Sequence, residues 1–363
     1  MVASLKKPKA LSEHYHPSLI PFYEAKSTSG LMKPLVDLLR SLQSANPTRT
    51  PALRIAVGLS GGADSSMLLA AMVPMVREFN ISLHVLHIHH GLMSEAEAWA
   101  EHCQALAAYL GAHCEVLRVT VARHSGLGEE AAARLARYQA YSDYCQAHQI
   151  QHFILAHHLN DQAETLLLRL LRGSGVKGMG GMQREHRYGG VIYHRPWLQL
   201  ERQVIMEAAA LFTELSGFEM IKDPSNLDLR YKRGALRRLL IPGLERAWPQ
   251  WKQTLSRHAR LMAEAQALLE EVAAADLEQL DLGPEASDFS LLAWRQLSAR
   301  RQAHVLRYWL SLHDIPMPTE RRLQDWLRQL REVHQLGFDR SLTLQHQCYR
   351  IMVVRGRVCL GKE

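Results

Sequence analysis

The chain has 363 residues, 47% hydrophobic and 22% charged, with only 22 glycines and 14 prolines; this excludes disordered, collagenous and low-complexity polymers and allows two or three domains at roughly 150 residues each. No apolar run nears the roughly 18 residues that cross a bilayer, and the first residues lack the apolar core of a signal peptide, so a soluble, cytoplasmic protein with no membrane partner is expected. Forty-three Lys and Arg against 36 Asp and Glu give a net charge of +7, which favours a polyanionic partner, while five scattered cysteines with no C-x-x-C exclude a disulfide framework or a zinc ribbon.

In chain order, residues 1–50 surround one weak amphipathic stretch, 31–42, and read as an N-terminal extension. Residues 53–59 form the first strand. The pattern then alternates: helix 65–79 despite Pro74, strand 83–88, and helix 94–110 opened by a Ser94-x-x-Glu97 capping box. Strand 115–121, helix 129–147, strand 152–156 and helix 161–171 follow. Short apolar strands separated by longer helices predict an α/β domain with a doubly wound parallel sheet over residues 51–245. After Pro242 the alternation stops, and helices 248–280, 291–309 and 321–333 with strand-like runs in 341–360 predict a second, mainly helical domain, 246–363.

Ligands of such sheets lie beyond the carboxyl ends of the strands, so the residues after positions 59, 88 and 156 carry the chemistry. Ser60-Gly61-Gly62-Ala63-Asp64-Ser65 joins strand to helix, and its glycines let backbone N–H groups turn toward an anion. No Lys follows the glycines and the spacing is not G-x-G-x-x-G, which argues against a Walker ATPase and a dinucleotide binder. His89-His90-Gly91-Leu92 ends the second strand. His157, Asp161 and Glu164 recur at i, i+4 and i+7 after the fourth, a spacing open to two readings: a metal site, or helix capping by Asp161 among ordinary loop histidines. Arg134 and Arg137 are placed to reach phosphate from a helix. The glycine-rich loop after Arg172 suits gating, and cations including Arg230, Arg233, Arg237 and Arg238 form a surface suited to an RNA backbone.

The run from Ser60 to Ser65 resembles the S-G-G-x-D-S loop of the N-type ATP pyrophosphatases, the PP-loop or adenine nucleotide alpha hydrolase-like fold. Together with His89-His90-Gly91-Leu92, Glu130-x-x-x-Arg134-x-x-Arg137-Tyr138, the Ala156 to Thr165 run, Arg172-Gly173-Ser174-Gly175, Arg195-Pro196 and Asp223-x-Ser225-Asn226, it is similar to the tRNA(Ile)-lysidine synthetase family. That resemblance implies a ligase: ATP adenylates the wobble cytidine of tRNA(Ile) with a CAU anticodon, and free L-lysine displaces AMP to give lysidine. It implies ATP at Ser60, Gly61, Gly62, Ala63, Asp64, Ser65 and His89, and Mg2+ held by Asp64. Catalysis would rest on Asp64, Asp161 and Glu164, and tRNA contact on Arg134, Arg137, Arg172, Arg230, Arg233 and Arg237.

Three departures from the family pattern stand out: Asn160 replaces a usual acidic residue, Gly234 replaces a usual Asn, and the chain is expected to end before a further C-terminal domain that many bacterial members carry. The sequence leaves the oligomeric state open, a homodimer included. Competing readings are a tRNA thiolase, which needs reactive cysteines at the crevice, a GMP or NAD synthetase, which predicts no basic helical partner domain, and a non-catalytic RNA-binding module on the same fold.

Overall fold

A computed structural model describes residues 16–45, 52–122, 128–224, 228–333, 342–346 and 348–362. It divides into two compact units, residues 1–260 and 261–363.

The first unit opens with α1 (Ile20–Glu24) and α2 (Lys26–Ala45), then β1 (Leu53–Gly58), α3 (Ala63–Met72), α4 (Met75–Glu78), β2 (Ile81–His89), α5 (Ala96–Tyr109) and β3 (Cys114–Arg118). It continues through α6 (Glu129–Ala147), β4 (His152–Ile154), α7 (Leu159–Leu171), α8 (Val176–Met179), β5 (Glu185–Tyr188), β6 (Val191–His194) and α9 (Arg202–Ser216). The strands form one sheet in the order β3-β2-β1-β4-β6-β5, parallel except for the β5 edge. The pleat sends Ile55 and Val57 into one core with Leu69, Cys103 and Phe212, and Ala56 into a second core with Tyr141, Phe153 and Tyr193. Both faces are therefore covered, as the doubly wound reading requires.

Local chemistry moves several expected boundaries. Pro74, with no N–H to give, splits the helix expected over 65–79 into α3 and α4. The Ser94 capping box does not form: Glu95 is the N-cap of α5, and Ser94 Oγ donates to the Glu95 carboxylate at 2.8 Å. Residues 31–42, expected to belong to an extension, lie within α2, where Leu31, Leu35, Val36 and Leu39 are buried in the first core. Trp197 fixes that packing by donating from its indole to the Leu31 carbonyl at 3.0 Å.

The β5–β6 hairpin turns on Gly189 and Gly190, both at positive φ, a twist matched to antiparallel strands. After α9 come α10 (Lys232–Ala235), a π-helical turn (Leu236–Leu240), α11 (Ile241–Ala247) and α12 (Trp251–Glu278). The boundary between the units falls inside α12.

The second unit adds β7 (Asp288–Ser290), α13 (Leu291–Gln296), α14 (Ala299–Leu312), α15 (Glu320–Glu332), β8 (Leu342–His346), β9 (Tyr349–Val354) and β10 (Arg357–Lys362). Its helices share a core of Phe289, Trp294, Trp309 and Trp326 with an antiparallel sheet ordered β7-β10-β9-β8. The helix expected over 291–309 is two helices, because Leu297 is extended and closes α13.

Candidate active site

The carboxyl ends of the parallel strands β1, β2 and β4 open on one side of the sheet, and the loops that follow them meet there. After β1, Ser60 N–H donates to Ser65 Oγ at 3.0 Å, the two hydroxyls lie 2.9 Å apart, and Ser65 Oγ donates to the Gly62 carbonyl at 3.2 Å. Gly61 adopts φ +79°, and a side chain there would collide with Ile221. Gly62, at the N-cap, has no side chain to satisfy the first-turn N–H groups of α3, which leaves a backbone cradle for an anion.

Asp64 stands in that first turn. Its Oδ1 is shut off from solvent without a hydrogen bond, 3.5 Å from both His158 Nε2 and Arg202 Nε. His158, buried, is the N-cap of α7: its Nδ1 accepts the Asp161 N–H at 3.3 Å, and Asp161 Oδ2 accepts the His158 N–H at 3.2 Å. Because Nδ1 accepts, the ring hydrogen sits on Nε2, which lies 3.4 Å from Asp161 Oδ2 and 3.5 Å from Asp64 Oδ1. One imidazole thus joins the phosphate loop to α7. Burial pushes the Asp161 carboxyl up, but His158, His157 and Arg233 outweigh it and hold its pKa below the ordinary value.

Glu164, one turn on, is almost fully buried and fully engaged. Arg233 Nε meets Oε2 at 2.9 Å, while Arg237 meets Oε1 at 2.8 Å and Oε2 at 2.9 Å. Both guanidinium groups also approach Asp161 Oδ1, at 3.6 and 3.8 Å. Arg233 and Arg237, expected on RNA phosphate, are anchored across α7 to Glu164. The reason is spacing: residues 233 and 237 lie one helical turn apart and both face one carboxylate.

Arg134 and Arg137 flank the Tyr138 ring, 5.3 and 5.8 Å from its centroid. Burial lowers the Arg134 pKa, Tyr138 opposes this, and Arg137, Arg195 and Arg233 lower it further. Burial drives His157 down to about 3, against Asp161 and with Arg195, Arg137 and Arg134. His90 falls to about 4 through burial, Arg137, His87 and His89. Neutral histidines therefore line a cationic wall contributed by α6 and by Arg195, whose Nε is buried without a hydrogen bond.

His89 turns to Glu97 of α5 at 3.3 Å. Arg172 is exposed at the end of α7, and Arg230, also exposed, binds Asp228 at 2.6 and 2.8 Å. Ser225 and Asn226 lie outside the described residues. The glycine loop after Arg172, expected to gate, is stapled: Arg169 donates to the carbonyls of Gly178 and Gly181 at 2.6 and 2.9 Å, and the Gln162 amide holds Met182 through both its N–H and its carbonyl. Asn160 Oδ1 accepts the Arg202 N–H at 3.2 Å, a role an amide fills without added charge. Among the described residues no group of three or more His, Cys, Asp or Glu is arranged to hold a metal; Asp161 closes the capping box with His158 and Glu164 is taken up by two arginines, which favours the capping reading of this spacing over the metal-site one.

His158, Arg195 and Arg202 gained no role from sequence. The signal for His158 was its place directly before a helix with Asp161 three residues on, the reciprocal capping pattern with an imidazole in place of a hydroxyl.

Comparison with known proteins finds a match to the PP-loop domain over residues 34–244 and to the TilS substrate binding domain over residues 289–359. The tRNA(Ile)-lysidine synthase of Bordetella parapertussis is 47% identical over 330 residues, covering 91% of this chain and 94% of that protein. The one from Bordetella pertussis is 48% identical over 305 residues, 84% of this chain and 95% of its own. A longer relative from Alkalilimnicola ehrlichii is 40% identical over 280 residues, 77% of this chain and 61% of its own.

Proposed function

The chain belongs to the tRNA(Ile)-lysidine synthase family, and on that premise we propose how its crevice forms lysidine. The 2-carbonyl oxygen of the wobble cytidine, in tRNA(Ile) with a CAU anticodon, attacks the α-phosphorus of ATP, and pyrophosphate leaves. The ε-amine of free lysine then attacks C2 of the adenylated base, AMP departs, and a carbon–nitrogen bond remains. Such a reaction belongs in the cytoplasm, where tRNA, ATP and lysine meet.

The observation that carries this reading is the pairing of an uncapped glycine turn with two carboxylates bridged by His158. The turn's N–H groups receive the departing pyrophosphate, whose charge grows as the bond breaks. Asp64 fits a Mg2+ ion: Oδ1 is a hard oxygen without a hydrogen bond, and Mg2+ is typically held by one or two carboxylates plus phosphate oxygens. Bound there, Mg2+ would offset phosphate charge.

Lysine arrives as an ammonium with a pKa of about 10.4 and must lose a proton, which passes to solvent water, before the amine attacks. Asp161, whose carboxyl is held below its ordinary pKa, attracts the ammonium and orients it. Glu164 acts at one remove, holding Arg233 and Arg237 beside Asp161. Arg134 and Arg137 take the tRNA phosphate next to the reacting nucleotide, with Arg172 and Arg230 further out.

A thiolase reading meets inert sulfur. Cys103, the thiol nearest the loop, is fully buried, with its pKa pushed up to about 12 by burial and then Cys114. Incubation with labelled lysine, ATP and total tRNA, followed by nucleoside analysis, tests the proposal. Lysidine with stoichiometric AMP is expected; ADP as the main product, or AMP release indifferent to tRNA, overturns it.

A further inference from the structure

Residues 232–260 hold eight Lys and Arg against a single acid, Glu245. Arg233 and Arg237 face Glu164 and Lys252 pairs with Glu245 at 2.9 Å, while Lys232, Arg238, Arg246 and Arg257 are exposed. In the middle of this basic run stands Trp248, 64% exposed, whereas Trp251 on the same corner is buried.

The corner is fixed by its backbone. Trp248 N–H donates to the Leu244 carbonyl at 2.8 Å, closing α11, and Trp251 N–H donates to the Trp248 carbonyl at 2.9 Å, opening α12. Leu239 and Leu240 of the same run are exposed as well. A large flat ring left 64% exposed forgoes most of the hydrophobic stabilisation that burial would bring, and its surroundings are strongly cationic. A rigid aromatic face bordered by positive charge is the combination that binds unpaired nucleotides, because every base has a π-face and every nucleotide a phosphate.

We propose that Trp248 is a stacking platform for an unpaired base of the substrate tRNA, with Arg246 and Arg238 on the adjoining phosphates. The inference rests on the tRNA reading above and extends it away from the chemistry. Arg237 touches Glu164 inside the crevice, and Trp248 follows eleven residues later, about 16 Å along the helical run at ~1.5 Å per residue. That distance places the stacked base outside the reacting nucleotide but within reach of the same single-stranded loop.

Stacking and phosphate contact differ in their response to salt, which makes the test specific. Trp248→Ala is expected to weaken tRNA binding roughly five- to 150-fold while leaving the slope of log K against log salt unchanged. Its KM for tRNA should rise by a similar factor, with kcat at saturating tRNA intact. Trp248→Phe and Trp248→Tyr, which keep a ring, should restore most of the affinity. If the wild-type chain fails to bind tRNA, the tRNA reading falls and this inference with it. If wild type binds and Trp248→Ala binds equally well, or if only its oligomeric state changes, the ring serves another contact and the inference alone is overturned. Equal losses in all three variants with an altered salt slope would show a disturbed corner and overturn it as well.

Discussion

At the β1 end of the crevice the working groups are backbone N–H donors and one carboxylate whose inner oxygen has no hydrogen bond; at the β4 end, both oxygens of Glu164 are bound by guanidinium groups and Asp161 accepts a backbone N–H. The first end is an incomplete electrostatic environment, ready for a ligand that brings its own charge. The second is nearly complete within the chain, so it serves to position groups. Substitutions at the two ends should therefore fail differently.

The largest effect is expected from Asp64→Asn, which removes the charge from the incomplete end: tRNA-dependent AMP release should drop by at least about a thousandfold with thermal stability little changed, as followed by pyrophosphate assay and melting curves. Retained AMP release would remove Asp64 from the metal-holding role. Glu164→Gln should do the reverse, because it strands two guanidinium groups that were paired against a buried carboxylate. About 3 kcal/mol of stability is expected to be lost, and tRNA adenylation should fall together with lysidine yield. Should adenylation survive while only the lysine requirement rises, Glu164 contacts lysine directly and the positioning role assigned above is wrong.

A pH series sharpens the contrast further. His157 is folded with a pKa of about 3 against an ordinary 6.5, so the unfolded chain takes up a proton that the folded chain refuses. Its contribution is fully present above about pH 6.5 and is lost as pH falls from there toward 3. In His157→Asn the loss of Tm between pH 7 and 5 should shrink by about 2–4 °C, read by calorimetry; an unchanged curve would mean that other groups govern acid unfolding. The smallest effect belongs to Arg238→Glu, which is exposed and outside both ends. The salt slope of tRNA binding should flatten by about one to two contacts. Arg237 is unsuitable for that measurement, since reversing it would also break its pairing with Glu164.

The parallel core of the sheet was legible because β1, β2 and β4 are apolar runs set between helices with clear periodicity. The loop from Ser60 to Ser65 was legible for a related reason: backbone geometry demands particular residue types, and those types stand in the sequence. The β5–β6 hairpin was not, because Glu185, His186 and Arg187 lie on an exposed edge strand and lack the apolar alternation of a buried one. Gly189-Gly190 was its one local signal. The roles of Glu164, Arg233 and Arg237 were also hidden. Each was visible as a charge, but their pairing joins residues about 70 positions apart, and no local pattern reports a contact of that kind. Asn160, a departure from the family pattern, accepts the Arg202 N–H at the start of α9, a contact 42 positions away that no local pattern reports.

The match to the PP-loop domain begins at residue 34, partway along α2, whereas Trp197 is tethered to Leu31 and buried beside Phe22 and Phe212 in the same core. The inherited unit and the folding unit therefore begin at different places. Trp197 follows Arg195 by two residues, so the short helices ahead of the inherited unit brace the strand end that carries a crevice arginine. A version that begins at residue 34 would keep the crevice residues and lose the buttress behind one of them.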